Sequence, residues 1–397
     1  MADNTHGWTA DGWEGVRDAF DQNFADGTEV GAAFSVYHRG EKKADLWGGI
    51  ADRSTGRQWD EESVIAVYST TKGATATCLN RLIDRGEVDA AAPVVTYWPE
   101  FGAAGKQDIP VSYLPSHQAG LAWVDATMTA EEAFAWEPVI RALEQQAPSW
   151  TPGTQHGYHA VTFGYLVGEV VKRVSGKSLG TFFADEVAAP LDLSFWIGLP
   201  ESEEHRVGQL IPLMDAITAA GEGGGSGGGG DNNAAEMFAA FMAGSDLGKA
   251  LNAPGGAFSD QDIWNTRGMH AAEVPAANGI CDARSLARMY AALIGEVDGI
   301  RLLSPEQLDR ATTQQTKGPN TILFGLDIQF GLGFMLHTSL LAIGGEHSFG
   351  HFGLGGSMGW ADPDADLALG YVMNRLDIGM TGDVRSTRLL EACYAAI

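Results

Sequence analysis

Residues 67–89 read VYSTTKGATATCLNRLIDRGEVD, and the fold turns on how Ser69 is read within them. In a helix, positions three apart lie side by side, so the Ser69 hydroxyl and the Lys72 amine are expected to be neighbours. The stretch that follows has the marks of a helix: Leu79, Leu82 and Ile83 form an apolar stripe, Arg85 sits in the last turn, and Gly86 supplies a stop. Ser69 falls at the N-terminal end, where unpaired N–H groups and the helix dipole favour negative charge developing on an alkoxide or an oxyanion. As plain structure, the same two residues would be a capping serine and a solvated lysine. A bare Ser-x-x-Lys match is weak, but it is the only one in the chain.

An aliphatic hydroxyl is a poor nucleophile at neutral pH, so a neighbour has to take its proton during attack. Lys72 can do so only when largely neutral, which desolvation in a cleft and a nearby positive charge both encourage. Tyr158, in HGYHAVTFGYLVGEVV (156–171), directly precedes another helical pattern and is the candidate proton relay.

Two stretches match the Gly-x-Ser-x-Gly nucleophile elbow, around Ser226 and around Ser357. An elbow needs a strand before it and a helix after it. Ser226 lies in a glycine run, and Ser357 leads into a strand, a turn and another strand. His351 is the last histidine of the chain, so Ser357 also lacks the downstream histidine of elbow hydrolases.

The 397 residues, 45% of them apolar, are ample for one or two cores. The start, MADNTHGWTADGW, has no signal-peptide pattern, and nowhere do roughly 18 apolar residues follow one another, so neither export nor membrane spanning is expected. Cys78, Cys281 and Cys393 stand far apart in none of the paired spacings that hold zinc, which suits a reducing, cytoplasmic compartment. A formal charge of −26 disfavours nucleic acid and anionic lipid as partners.

Strand patterns occupy both ends. Residues 31–49 alternate around an Arg39-Gly40 turn after a helical stretch from Trp13 to Phe24, while FGLGFMLH, SFGHFGL and SMGWADPDADLALGYVMNR lead to a closing amphipathic helix. Between them, Ser69 to Arg85, Thr129 to Gln145, Thr162 to Ser175, Leu179 to Val187 and Ala283 to Ile294 have helical spacing. The expected fold is α+β, an α/β sandwich. An antiparallel sheet from residues 1–75 and 320–397 has flanking helices and an inserted, mostly helical region, 76–319, with a glycine-rich loop at 221–233.

Four stretches together resemble the serine β-lactamase and penicillin-binding-protein superfamily, most of all its esterase branch, the family VIII carboxylesterases. They are YSTTKGATATCLNRLIDRGEVD, LPSHQAGL, GYHAVTFGYLVGEVVKRVSGKSL and FGHFGLGGSMGWADPDADLALGYVMNR, and the likeness spans about residues 30–395, weakest over 201–269. The resemblance implies that Ser69 is acylated, that Lys72 is its partner and that Tyr158 is the general base or relay. His351 to Gly353 falls where relatives carry Lys-Thr-Gly or a variant, so the N–H groups of Ser69 and Leu354 would form the oxyanion hole.

His351, Gly353, His159 and Trp360 are the expected binding or supporting residues, and Trp123 and Trp150 are further candidates for an acyl pocket. Ala160 replaces the asparagine of Tyr-x-Asn and His351 replaces a lysine, and both changes weaken recognition of β-lactams and peptides while leaving acyl transfer intact. His117 matches a family position of structural character. His347 and His351 would stand about 13 Å apart along a strand, too far for one ion. The expectation is a serine carboxylesterase for a small-molecule ester, with short acyl chains favoured and no metal or cofactor. The alternatives are a β-lactamase, D-amino-acid peptidase, oligoamide hydrolase or acyltransferase of the same fold, or a catalytically silent binding protein.

Overall fold

The computed structural model describes residues 5–212, 244–377 and 383–397; the glycine-rich stretch 221–233, with Ser226, lies outside the described residues. The strands are β1 (Thr5–Thr9), β2 (Gly31–His38), β3 (Glu41–Asp52), β4 (Arg57–Gln58), β5 (Ile65–Ala66), β6 (Phe195–Trp196), β7 (Ile280–Cys281), β8 (Met335–Leu336), β9 (Phe349–Phe352), β10 (Met358–Asp362) and β11 (Leu367–Met373). The helices are α1 (Glu14–Ala25), α2 (Thr71–Asp84), α3 (Ala130–Phe134), α4 (Glu137–Gln145), α5 (Thr162–Ser175), α6 (Leu179–Phe183), α7 (Asp246–Leu251), α8 (Arg267–Ala271), α9 (Ala283–Ile294), α10 (Pro305–Thr312) and α11 (Val384–Ala395).

The main sheet runs β1-β3-β2-β11-β10-β9-β8, antiparallel throughout, with β4 beside β3. The two chain ends meet where β2 pairs with β11, Val36 opposite Leu369, so the α+β sandwich built from both termini is what the chain forms. Arg39 and Gly40 both take positive φ, 55° and 74°, which gives a two-residue turn matched to the twist of β2 and β3. β2 and β11 are buried along almost their whole length; α9 packs on both, while α1, paired with α11, lies against β1 and β3.

The helix α9 corrects a sequence expectation. The sequence pattern places Ala283 to Ile294 in the inserted helical region, yet the helix lies on the main sheet against β11, β2 and β10. Periodicity identified its apolar face but not what that face would cover. Two glycines allow the close approach: a Cβ on Gly359 would stand 2.3 Å from the Tyr290 ring, and one on Gly370 2.3 Å from the Ala283 carbonyl.

Other differences are local. The 129–145 helix breaks in two at Trp136, whose φ is +67°, with the Trp136 indole donating to Glu169 (2.7 Å). The 179–187 helix passes into a π turn over Ala184–Ala188. A second sheet, β5-β7-β6, is made of two-residue strands with no readable period. Helix α2 is buried all round from Thr71 to Asn80 rather than along one stripe, packed against α5 and α6 in front of the sheet. Its buried polar side chains are satisfied: Thr77 donates to the Gly73 carbonyl (2.8 Å) and Asn80 to Ala76 and Leu332 (both 2.9 Å).

Candidate active site

Ser69 stands in a single 3₁₀ turn, Tyr68–Thr70, between β5 and α2. Tyr68 before it has φ of 45°, a left-handed conformation that costs energy for a bulky residue and is held here by surrounding contacts. The Tyr68 ring packs on Trp264 at 4.8 Å. Thr71 donates to the Tyr68 carbonyl (2.6 Å) and accepts from the Gly279 N–H (2.8 Å), while Val67 N–H donates to the Gly279 carbonyl (2.9 Å). Ser69 is half-buried between buried neighbours, the one residue of the turn that is not fully buried.

One turn on, Lys72 is fully buried. Its Nζ lies 3.0 Å from Ser69 Oγ, 2.6 Å from the Ala160 carbonyl and 3.0 Å from the Ala276 carbonyl. The rings of Tyr158 and Phe163 stand 4.8 and 5.6 Å away. Among the described residues no carboxylate pairs with this amine, and desolvation holds its pKa well below that of an ordinary lysine. A neutral amine has two hydrogens and one lone pair. In that form the two carbonyls take the hydrogens and the lone pair faces the Ser69 hydroxyl; in the ammonium form the third hydrogen goes to Ser69 Oγ.

Tyr158 lies on the loop leading to α5, its N–H donating to Asn320 Oδ1 (3.2 Å) and its ring held by His117 (5.0 Å), Phe330 (6.1 Å) and His351 (6.2 Å). Burial pushes the phenol pKa up, and the neighbouring Ser69 hydroxyl works against that. The phenol is therefore protonated at rest and suited to passing a proton rather than holding a phenolate charge.

The structure brings His351, Gly353, Leu354 and His159 to this centre in different capacities. His159 is a brace: its Nδ1 donates to the Gly157 carbonyl (2.6 Å), its Nε2 accepts from Leu121 N–H (2.9 Å), and burial lowers its pKa to about 4. Its own N–H donates to Nδ1 of His117 (3.0 Å), which fixes the His117 proton on Nε2. His351 donates through Nδ1 to the Phe352 carbonyl (2.7 Å), leaving Nε2 a buried acceptor with no partner among the described residues. Burial first, then the nearby Lys72, hold this imidazole neutral, its pKa well below the usual value.

Gly353 begins the turn from β9 to β10, closed by Gly353 N–H to the Ser357 carbonyl (2.8 Å). The turn lies directly on the Ser69 segment: Ser357 donates to the Val67 carbonyl (2.8 Å) and Thr70 donates to the Ser357 carbonyl (3.1 Å). Ser357, the elbow-like serine, is thus a buried strut and no nucleophile. Among the described residues no acceptor takes the Leu354 N–H, and Ser69 is the second residue of its turn, where N–H groups lack intrahelical partners.

Trp360 is corrected. On β10 it lies opposite Gly350 and shares a face with Phe352, its ring tilted against that one at 5.4 Å and its indole N–H donating to the Ile343 carbonyl (3.2 Å). His351 and Gly353 point to the other face, toward Lys72, so alternation of strand side chains takes Trp360 away from the site. Trp150 does come near, edge-on to His159 at 5.8 Å, whereas Trp123 sits under Lys249 at 5.0 Å.

Three contributors were not anticipated. The Ala160 and Ala276 carbonyls act through main-chain oxygen and carry no side-chain signature. Asn320 accepts from the N–H groups of Tyr158, Ile322 and Leu323, and its one signal was its place in a polar turn, Gly318-Pro319-Asn320.

The chain matches the Beta-lactamase family over residues 16–394. It is 36% identical over 354 residues, 87% of this chain and 77% of the other, to Esterase/beta-lactamase LipL of Mycobacterium tuberculosis (strain ATCC 25618 / H37Rv). Among solved structures it superposes on a family VIII carboxylesterase (TM-score 0.86, 38% identity, 99% of this chain and 100% of that one). A penicillin-binding-protein homolog from Caulobacter crescentus gives a TM-score of 0.86 at 34% identity, again covering 99% and 100%.

Proposed function

Since the chain belongs to the beta-lactamase family, we propose that it is a serine carboxylesterase that cleaves small carboxylic esters through an acyl-enzyme on Ser69. One observation carries the reading: Lys72 Nζ, desolvated and with no carboxylate partner among the described residues, stands 3.0 Å from Ser69 Oγ with its other directions occupied by two carbonyls.

Ser69 Oγ attacks the ester carbonyl carbon while its proton passes to Lys72. The C–O π pair moves onto oxygen, and the resulting oxyanion is received by the N–H groups of Ser69 and Leu354. Tyr158 gives its proton to the departing alkoxide, and Lys72 restores it. Water then attacks the acyl-enzyme with its proton drawn toward Tyr158 and Lys72; as the acyl–Oγ bond breaks that proton returns to Ser69 Oγ, and the acid leaves. An alkoxide or phenoxide needs less protonation to depart than an amine does. The relatives that carry esterase names support the same choice.

Two features favour esters over β-lactams. At Ala160 it is the main-chain oxygen that holds Lys72, and no side-chain amide is available for an acylamino group. His351 is neutral and offers a lone pair where a cation would hold a carboxylate. Three buried free cysteines fit a reducing compartment, the cytoplasm, and among the described residues no helix is long and apolar enough to cross a membrane.

The test is a panel: p-nitrophenyl esters of graded acyl length, a chromogenic cephalosporin and a D-alanyl anilide, with a fluorophosphonate probe as a report of the nucleophile. The short ester is expected to have the highest kcat/KM. An amide or lactam turned over faster would reassign the enzyme, an acyl group captured by added alcohol in preference to water would make it a transferase, and absence of a probe adduct would leave a binding protein. The pH profile is a second check. Because burial depresses Lys72, its active neutral form fills as pH rises, and the acid limb of kcat/KM should end far below the 10.5 of a free lysine.

A further inference from the structure

At the far end of the chain Arg385, on α11, is 1% exposed. Its guanidinium is fully engaged. Nε and Nη2 donate to Asp383 Oδ2 (3.0 and 2.5 Å), and Nη1 donates to the Arg375 carbonyl (3.0 Å) and to Glu29 Oε2 (3.3 Å). Nη2 also donates to the Gly355 carbonyl (2.7 Å). Glu29 accepts a further hydrogen bond from the Tyr371 hydroxyl on β11.

A buried ion cluster of this kind is weak evidence for stability, since desolvation offsets most of the attraction. Its geometry has a more specific consequence. Gly355 directly follows Leu354, whose N–H has no acceptor among the described residues. On one side of Leu354, Gly353 is fixed by its N–H bond to the Ser357 carbonyl. On the other side, the Gly355 carbonyl is held by Arg385 and by the Asp377 N–H (3.2 Å). Gly355 and Gly356 have φ of 89° and 117°, so this turn is open to several conformations unless something selects one. The guanidinium packs so closely that a Cβ on Gly356 would stand 2.8 Å from Nη2.

We propose that Arg385 is a positioning residue for ester hydrolysis, holding the Leu354 N–H at the oxyanion by clamping the Gly355 carbonyl between β9 and β10. The proposal rests on the reading of Leu354 as an oxyanion donor. The other members of the cluster tie the clamp to β11 and to the segment before β2. Burial pushes the Glu29 pKa up to about 7 against the pull of Arg385, so the carboxylate is held by the guanidinium and the Tyr371 hydroxyl rather than by solvent.

The experiment compares an oxygen ester with its thionoester, in which sulfur replaces the carbonyl oxygen. Sulfur accepts hydrogen bonds poorly, so a working oxyanion hole favours the oxygen ester, and the ratio of the two rates reads the hole alone. Loss of folded protein lowers both rates equally and leaves the ratio unmoved. The variants are Arg385→Met combined with Glu29→Gln, which leaves no unpaired Glu29 carboxylate, together with Arg385→Lys, which keeps the charge but cannot reach four acceptors at once.

The double variant should lose about ten- to a hundredfold in kcat for the oxygen ester, with KM little changed, a fraction of the cost of removing a hole donor outright. The thionoester rate should hardly move, and Arg385→Lys should fall between the double variant and the wild type. A wild-type ratio near unity would refute Leu354 as an oxyanion donor. A high wild-type ratio retained in both variants would refute Arg385 alone.

Discussion

Ser69→Ala will lose fluorophosphonate labelling and about a millionfold in kcat, by analogy with removal of a serine nucleophile elsewhere. Lys72→Arg will lose about a hundred- to ten-thousandfold, the range for a general base, measured per molecule that a melting curve shows to be folded, since a buried guanidinium without a carboxylate also costs stability. The arginine change is the sharper of the two. Lys72 has lone-pair chemistry to offer only because burial lowers its pKa and the Ala160 and Ala276 carbonyls use up its hydrogens. A guanidinium keeps its charge at any working pH, so it can occupy the position and satisfy both carbonyls without ever accepting the serine proton.

Lys72→Met, which matches the length, is a poorer probe. It leaves two buried carbonyls without donors, at about 1–3 kcal/mol each, and mixes lost stability with lost chemistry. The measurement is the pre-steady-state burst of p-nitrophenol, which reports acylation directly. A Lys72→Arg enzyme with an undiminished burst would show that another group takes the proton.

What the sequence makes legible is local. Ser69 and Lys72 were readable as neighbours because helix geometry fixes the relation of positions three apart, and the Arg39-Gly40 hairpin because two residues at positive φ have few alternatives. The β10–β11 pair was legible for a similar reason, its turn being marked by Pro363 and Asp366.

Assignments that depend on a partner far away in the chain were harder. Trp360 looked close to the site because it follows the β9 turn, but only the register with Gly350 says which face it takes. The helix at 283–294 shows its apolar side without showing that β11 and β2 lie beneath it. Main-chain acceptors such as Ala276 leave no trace in residue type. The edge strand Thr5–Thr9 is mostly exposed and has no apolar alternation to announce it.

Gly353→Ala will lower kcat for an oxygen ester by about a hundred- to a thousandfold, as much as deleting an oxyanion donor. On the proposed reading both donors are main-chain N–H groups, which only proline would remove, at the cost of fixing φ in this turn, so the packing between them is the accessible target. A methyl group on Gly353 would come 2.2 Å from the Val67 carbonyl, 2.2 Å from Ser357 Oγ and 3.0 Å from Thr70 Oγ1. The serine hydroxyl can rotate aside, but the Val67 carbonyl cannot move cheaply, because it already accepts from Ser357 (2.8 Å) and from the Thr70 N–H that closes the nucleophile turn (3.1 Å).

The methyl therefore wedges the Leu354 segment away from the Ser69 segment and widens the gap that the oxyanion has to bridge. Overpacking of this kind costs about 1–3 kcal/mol of stability, which a melting curve will register and which leaves most of the protein folded. Adding Ser357→Ala removes the softer of the two close contacts and should restore little, since the Val67 oxygen remains. A Gly353→Ala enzyme within a few-fold of wild type would mean that Leu354 is not a donor, and the oxyanion would then have to find its second hydrogen bond on another segment of the cleft.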